Sequence, residues 1–195
     1  MIRLGILGST KGTDLVPILD AIGSGELQAS VEVVISNKES SLILKKAKNS
    51  GVPSVFISHE NKPRESFDRE VEKSLLEKNV DLVLLIGFMR ILSKEFVQRW
   101  AGRIINVHPS LLPKHAGGMN NDVHRDVLLA KEKETGCTIH LVTAEVDRGP
   151  IIIQKKCSVF RDDTIETLKE RVQSLEGVAF IEAINKMEGI LKNEN

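Results

Sequence analysis

The 195 residues carry 27 Lys plus Arg against 27 Asp plus Glu, so the formal net charge is zero and no electrostatic footprint for nucleic acid exists. The length suits one domain with a sizeable core, no segment approaches the roughly 18 consecutive apolar residues of a membrane span, and the opening MIRLGILGST lacks the basic start and long apolar run of an export signal. Two cysteines, Cys137 and Cys157, are too few for a disulfide framework, and a cytoplasmic protein with free thiols is the expectation.

In chain order, IRLGIL (2–7) is a strand-like run, followed by a glycine-containing turn and the amphipathic stretch DLVPILDAI. SVEVVIS (30–36) leads to LILKKAKNS, which stops at an Asn-Ser-Gly cluster. VPSVFI is a third short run. RESFDREVEKSLLEK (64–78) has helical apolar spacing and precedes the uninterrupted DLVLLIG (81–87). A short helical SKEFVQRWA then enters RIINV (103–107). This alternation predicts βαβ units with right-handed connections. Runs apolar on both faces predict a parallel sheet covered by helices on each side.

Beyond residue 121 the pattern changes. CTIHLVTAEV and PIIIQKKCSVF flank DRGP and predict an antiparallel hairpin with a loose turn near Asp147. Such a turn places Cys137 and Cys157 about opposite one another. The final stretch (162–191) opens on Asp and Thr as cap candidates and keeps a helical period. The expected fold is a single α/β domain, Rossmann-like, with antiparallel strands extending or flanking a mostly parallel core.

Two places carry chemistry. GSTKGTDL (8–15) lies between the first strand and first helix, where exposed N–H groups can hold an anion. It matches neither the dinucleotide nor the nucleoside-triphosphate glycine pattern, so a phosphate monoester over Gly12, Thr13 and Asp14 is one reading and a plain turn, with Thr13 or Asp14 as cap, is the other. The second place is the end of the fifth run. Ligands of open parallel sheets bind outside the carboxyl ends of strands, where Asn106 can stabilise a developing oxyanion and His108 can move a proton. Asp147, on its glycine-proline turn, is the candidate carboxylate partner of His108. His108, His115 and His124 raise a metal alternative, but no carboxylate or cysteine falls at ligand spacing. His124 and His140 read as packing residues within periodic segments.

GFMRILS (87–93), NVHPSLLP (106–113) and VDRGPII (146–152), in this order and with GSTKGTDL before them, resemble the folate-dependent formyltransferase family over essentially the whole chain. The branch acting on a glycinamide ribotide is the nearest match. The resemblance implies transfer of the formyl group of 10-formyltetrahydrofolate, a co-substrate, to the amine of N1-(5-phosphoribosyl)glycinamide in de novo purine synthesis, without a metal. It divides the chain into a βαβ phosphate-binding half (1–107) and a half with catalytic loop, hairpin and C-terminal helix (108–195).

It also implies roles. Asn106 would bind the oxyanion, His108 act as proton carrier, and Asp147 keep His108 charged and orient water. Met89, Arg90, Ile91 and Leu92 would line the folate pocket, with Arg64 at its edge. Gly12, Thr13, Asp14, Leu15 and Val16 would take the ribotide, with Gln173 and Glu176, three positions apart on one helical face, contacting phosphate and ribose. Two departures stand out. The family often has asparagine where Asp14 stands, so Asp14 is expected to cap its helix or face the glycinamide nitrogen. The loop 114–124 is longer than the family's usual form, compatible with a lid.

The rivals are a formyltransferase for methionyl-tRNA or a nucleotide sugar, a hydrolase deformylating 10-formyltetrahydrofolate, and a non-catalytic folate- or phosphate-binding module. The first two are expected to bring an extra C-terminal or N-terminal domain, and the third needs none of Asn106, His108 and Asp147. Partners beyond small molecules are not expected, neither nucleic acid nor membrane, and the chain is read as a monomer or homodimer.

Overall fold

Strands that are apolar on both faces are buried only between two helical layers. The computed structural model describes residues 1–118 and 121–193. Its strands are β1 (Ile2–Leu7), β2 (Ala29–Ser36), β3 (Ser54–Phe56), β4 (Leu82–Leu85), β5 (Ile104–His108), β6 (Glu134–Leu141) and β7 (Ile151–Ser158). The helices are α1 (Leu15–Gly23), α2 (Leu42–Asn49), α3 (Arg64–Glu77), α4 (Lys94–Arg99), α5 (Asn121–Leu129) and α6 (Ile165–Asn193). Among the described residues the strands form one sheet in the order β3-β2-β1-β4-β5-β6-β7. The first five are parallel, and β6 and β7 add antiparallel strands at one edge. Among the described residues no helix is long and apolar enough to cross a membrane.

The alternation of side chains along each strand builds two cores. Leu4 and Ile6 of β1 and Leu82 and Leu84 of β4 join α1, α2 and α6 through Ile18, Ile43, Val172 and Phe180. Leu7 of β1 and Val83 and Leu85 of β4 face α3 and α4 through Phe67, Val71, Phe96 and Trp100. Between β1 and β4 the chain order reverses, which opens a crevice at the strands' carboxyl ends.

Two expectations are corrected. The segment read as loop through residue 124 turns helical at α5. Val123 and Val127 are its buried apolar residues, one i,i+4 pair that is too little periodicity to recognise in sequence, and α5 owes its place to packing on α6. Part of the segment read as a lid, Met119 and Asn120, lies outside the described residues. The cysteines are free but not opposite: Cys137 pairs with Lys155, and Cys157 with Thr135. The hairpin axis sits one residue before Asp147, which offsets the thiols by two positions.

The hairpin is interrupted beside the crevice. Between Ile139 and His140 the register slips, so that Ile153 and Ile151 face them and Ile152 is extra, a bulge that bends the strand. Val142 still donates to Ile104 O at 2.9 Å, and Leu141 N–H to Pro150 O at 2.9 Å closes the neck of the turn. Gly149 permits that neck: a Cβ there would lie 1.7 Å from Leu141 O. Gly149→Ala is therefore expected to cost about 1–3 kcal/mol, read as a lower midpoint in denaturant unfolding. An unchanged midpoint would show that the neck is not constrained.

Candidate active site

Asn106 and His108 are two residues apart on β5 and project on the same side of the strand. The His108 ring is buried, with Nδ1 3.2 Å from Asp147 Oδ2 and Nε2 2.9 Å from the carbonyl oxygen of His115. Both ring nitrogens thus face oxygens, an arrangement that a doubly protonated imidazolium satisfies. Asp147 comes from the β6–β7 turn, which leaves the sheet level with Ile104 and doubles back to reach β5. Its Oδ2 also accepts the Gly117 N–H at 2.9 Å, and its Oδ1 lies 3.5 Å from His140 Nε2. Burial alone would raise this carboxyl. The hydrogen bond and charge of His108 and the Gly117 N–H outweigh burial and hold Asp147 well below the usual carboxylate range.

His140 corrects the sequence reading. It is buried as expected of a packing residue, yet it belongs to the site. On β6 it pairs across the sheet with Asn106. Its Nδ1 lies 2.9 Å from Leu141 O, so the proton sits there and Nε2 is free to accept from Asn106 Nδ2 at 3.2 Å. This fixes which way the Asn106 amide points. Only the cross-strand register reveals the contact; inside the apolar run TIHLV the histidine carries no local signal.

These groups border a cavity of about 460 Å³. Arg64, Met89, Arg90, Ile91 and Leu92, singled out by resemblance, line the same cavity as Asn106, His108 and Asp147. Val97, Val142, Gly117, Gly118 and the turn 143–146 line it too; sequence reasoning missed them because they come from elements that meet only in the fold. Arg90 stacks its guanidinium over Phe67, 4.9 Å from the ring centre, and its buried Nε has no hydrogen-bond partner among the described residues. Exposed Ile91 and Val146 give the cavity an apolar mouth.

The residues assigned to a phosphate ester form a separate group outside this cavity. Gly12 has φ +57°, with Ile43 packed where a Cβ would stand, so the turn before α1 demands glycine. Thr13 and Val16 are exposed, and Leu15 is core. Gln173 and Glu176 lie on α6, Gln173 half-buried. Asp14 does not cap α1: its side chain makes no cap hydrogen bond and is 3% exposed. It faces instead the field of Glu176, itself 6% exposed.

Burial, opposed by the charge of Lys46 and its own backbone N–H, pushes Asp14 up to about 7. Burial and then the charge of Asp14, opposed by Lys169, push Glu176 up to about 8. Lys46 is anchored beside them by a bond from Nζ to Gly12 O at 3.2 Å. Native carboxyls with raised pKa values hold protons that the unfolded chain has released, so stability falls as pH rises from about 4 toward about 8. Asp14→Asn removes one of the two charges. Its melting temperature relative to the parent should rise between pH 5 and pH 8, and a difference constant over that range would contradict the pairing.

The three histidines weighed as metal ligands sit in different surroundings. The His115 ring lies 3.8 Å from Glu132, and His124 is buried in α5. Burial, then the charges of Lys169 and His108, lower His124 to about 4, which makes it a neutral packing residue. Among the described residues no three His, Cys, Asp or Glu side chains are grouped to hold a metal ion.

Residues 2–184 match the family described as formyl transferase. The chain belongs to the formyl transferase family. It is 42% identical over 185 residues to the trifunctional purine biosynthetic protein adenosine-3 of Drosophila melanogaster, covering 93% of this chain and 14% of that protein. The chain thus spans about a seventh of that relative's length. It is 38% identical over 177 residues to the phosphoribosylglycinamide formyltransferase of Haemophilus influenzae, covering 90% of this chain and 82% of that one. The solved glycinamide ribonucleotide transformylase 1 of Symbiobacterium toebii superposes with TM-score 0.92 at 39% identity, over 97% of this chain and 89% of that one. A formyltetrahydrofolate deformylase of Pseudomonas syringae shares the formyl transferase fold at TM-score 0.88 and 26% identity, over 96% of this chain and 62% of that one. The seven-stranded mixed sheet is thus the architecture of this family.

Proposed function

We propose that the chain is a phosphoribosylglycinamide formyltransferase, moving the formyl group of 10-formyltetrahydrofolate to the amine of N1-(5-phosphoribosyl)glycinamide. The observation that carries this reading is the convergence of Asn106, His108 and Asp147, from separate segments, on one cavity. Arg64 and Met89, Arg90, Ile91 and Leu92 hold the folate there. Gly12, Thr13, Asp14, Leu15 and Val16, with Gln173 and Glu176, hold the ribotide.

The chemistry follows from the groups. The free amine attacks the formyl carbon, forming a C–N bond and placing a negative charge on the formyl oxygen. Asn106, oriented by His140, donates to that oxygen. His108, held between Asp147 and the His115 carbonyl, supplies a proton to the departing folate nitrogen as the old C–N bond breaks. The proton released by the attacking amine restores His108, so no net acid or base is consumed. Holding both substrates at attack distance provides much of the remaining acceleration.

A deformylase would use water as the nucleophile with the same three residues. The transferase is favoured by the buried carboxyls and glycine turn beside α1, which water does not need, and by the higher identity to the transformylase than to the deformylase. Turnover measured with each substrate alone and with both decides it: formyl-donor consumption requires the ribotide in a transferase, and proceeds without it in a hydrolase. His108→Ala and Asp147→Asn are each expected to lower kcat by at least about a hundredfold. Near-normal kcat in Asp147→Asn would remove that carboxylate from the mechanism.

A further inference from the structure

The cavity segment 89–92 has no regular secondary structure of its own, yet it must present a fixed surface to a rigid ring system. It is held at both ends by hydrogen bonds, one buried and one partly buried. At the far end the Ser93 N–H donates to Asp68 Oδ2 of α3 at 2.6 Å, and Ser93 caps α4 through its hydroxyl. At the near end the Met89 N–H donates to the hydroxyl of Ser9, at 2.8 Å.

We propose that Ser9 is a positioning residue for the formyl-donor pocket, its hydroxyl fixing the backbone at Met89; the inference rests on the function proposed above. Ser9 does not line the cavity. It follows β1, is 3% exposed, and ties the exits of three neighbouring parallel strands together. Its N–H donates to Gly87 O after β4 at 3.1 Å, and its hydroxyl donates to Asn37 Oδ1 after β2 at 2.6 Å. A serine hydroxyl has a single hydrogen. Spending it on Asn37 leaves the lone pairs for the Met89 N–H, so the Asn37 bond sets the direction of the Met89 bond.

Asn37 is itself held. The Nδ1 of His59, which follows β3, lies 3.1 Å from the Asn37 carbonyl oxygen and 3.3 Å from its Nδ2. The His59 ring stands edge-on to Phe67, with centroids 6.4 Å apart, and Phe67 carries the Arg90 guanidinium on its face. The contacts therefore form a closed circuit from Met89 through Ser9, Asn37, His59 and Phe67 to Arg90, the neighbour of Met89. Gly87 makes the return possible: its φ is +57°, and a Cβ would meet Thr10 Oγ1 at 2.3 Å.

Removing the hydroxyl deletes the bonds from the Met89 N–H and to the buried Asn37 amide oxygen and frees the near end of the segment. Ser9→Ala is expected to raise KM for 10-formyltetrahydrofolate by about tenfold, the factor one lost hydrogen bond carries. KM for the ribotide and kcat should stay within about threefold, and Ser9→Thr, which keeps a hydroxyl, should restore the donor KM. Asn37→Ala provides a second reading if Ser9→Ala is poorly folded, with a smaller rise in donor KM in the same direction. The inference is overturned if both substrates' KM values rise together, if neither rises, or if Ser9→Thr is as impaired as Ser9→Ala. A parent enzyme that fails to turn over both substrates would instead overturn the functional reading.

Discussion

A carboxylate can stay ionised inside a protein only when donors surround it, and Asp147 is such a carboxylate. Its donors come from two places: His108 at the end of β5 and the backbone of Gly117. Much of the C-terminal half can be understood as the means of assembling them. Reversing direction after β5 puts His140 opposite Asn106, and the bulge at Ile152 bends β7 where the turn must double back. The same set of contacts orders the two groups proposed to act on the formyl carbon, since His140 aims the Asn106 amide and Asp147 aims the His108 ring.

The parallel half contributes a different property. Its central strands are packed by helices on both faces, and loops at their carboxyl ends are pinned from beneath. Ser9 and Asp68 pin the segment under the proposed folate site. The α1 turn and α6 frame the proposed ribotide site, where two poorly solvated carboxyls sit close to Lys46 and Lys169. The two proposed sites thus draw on different elements.

The parallel architecture was readable because uninterrupted apolar runs and helical spacing are local signals. Asn106, His108 and Asp147 stood out for a related reason: polar groups at a strand end and at a glycine-proline turn interrupt an otherwise regular pattern. The segment 89–92 came only through family resemblance, since nothing in the composition of FMRIL marks a pocket, whereas the glycine turn at Gly12, Thr13 and Asp14 already allowed a phosphate cradle beside a plain turn. What escaped has a common cause. The His140 contact, the thiol offset, the α5 helix and the inward turn of Asp14 all depend on register or packing between distant segments. A one-residue shift of the hairpin axis suffices to separate Cys137 from Cys157, and a favourable cap position for Asp14 loses to its placement against α6.

The backbone at Asp147 adopts φ +54°, a left-handed conformation that branched side chains avoid and that short polar residues tolerate best. Drift at this codon is therefore filtered twice, by charge and by shape. Glutamate would keep the charge but displace it by a methylene, valine or threonine would strain the main chain, and glycine or asparagine would keep the turn while surrendering the anion. Descendants of this sequence have few intermediate steps open there, so the aspartate should persist wherever the reaction is retained and disappear abruptly where it is lost.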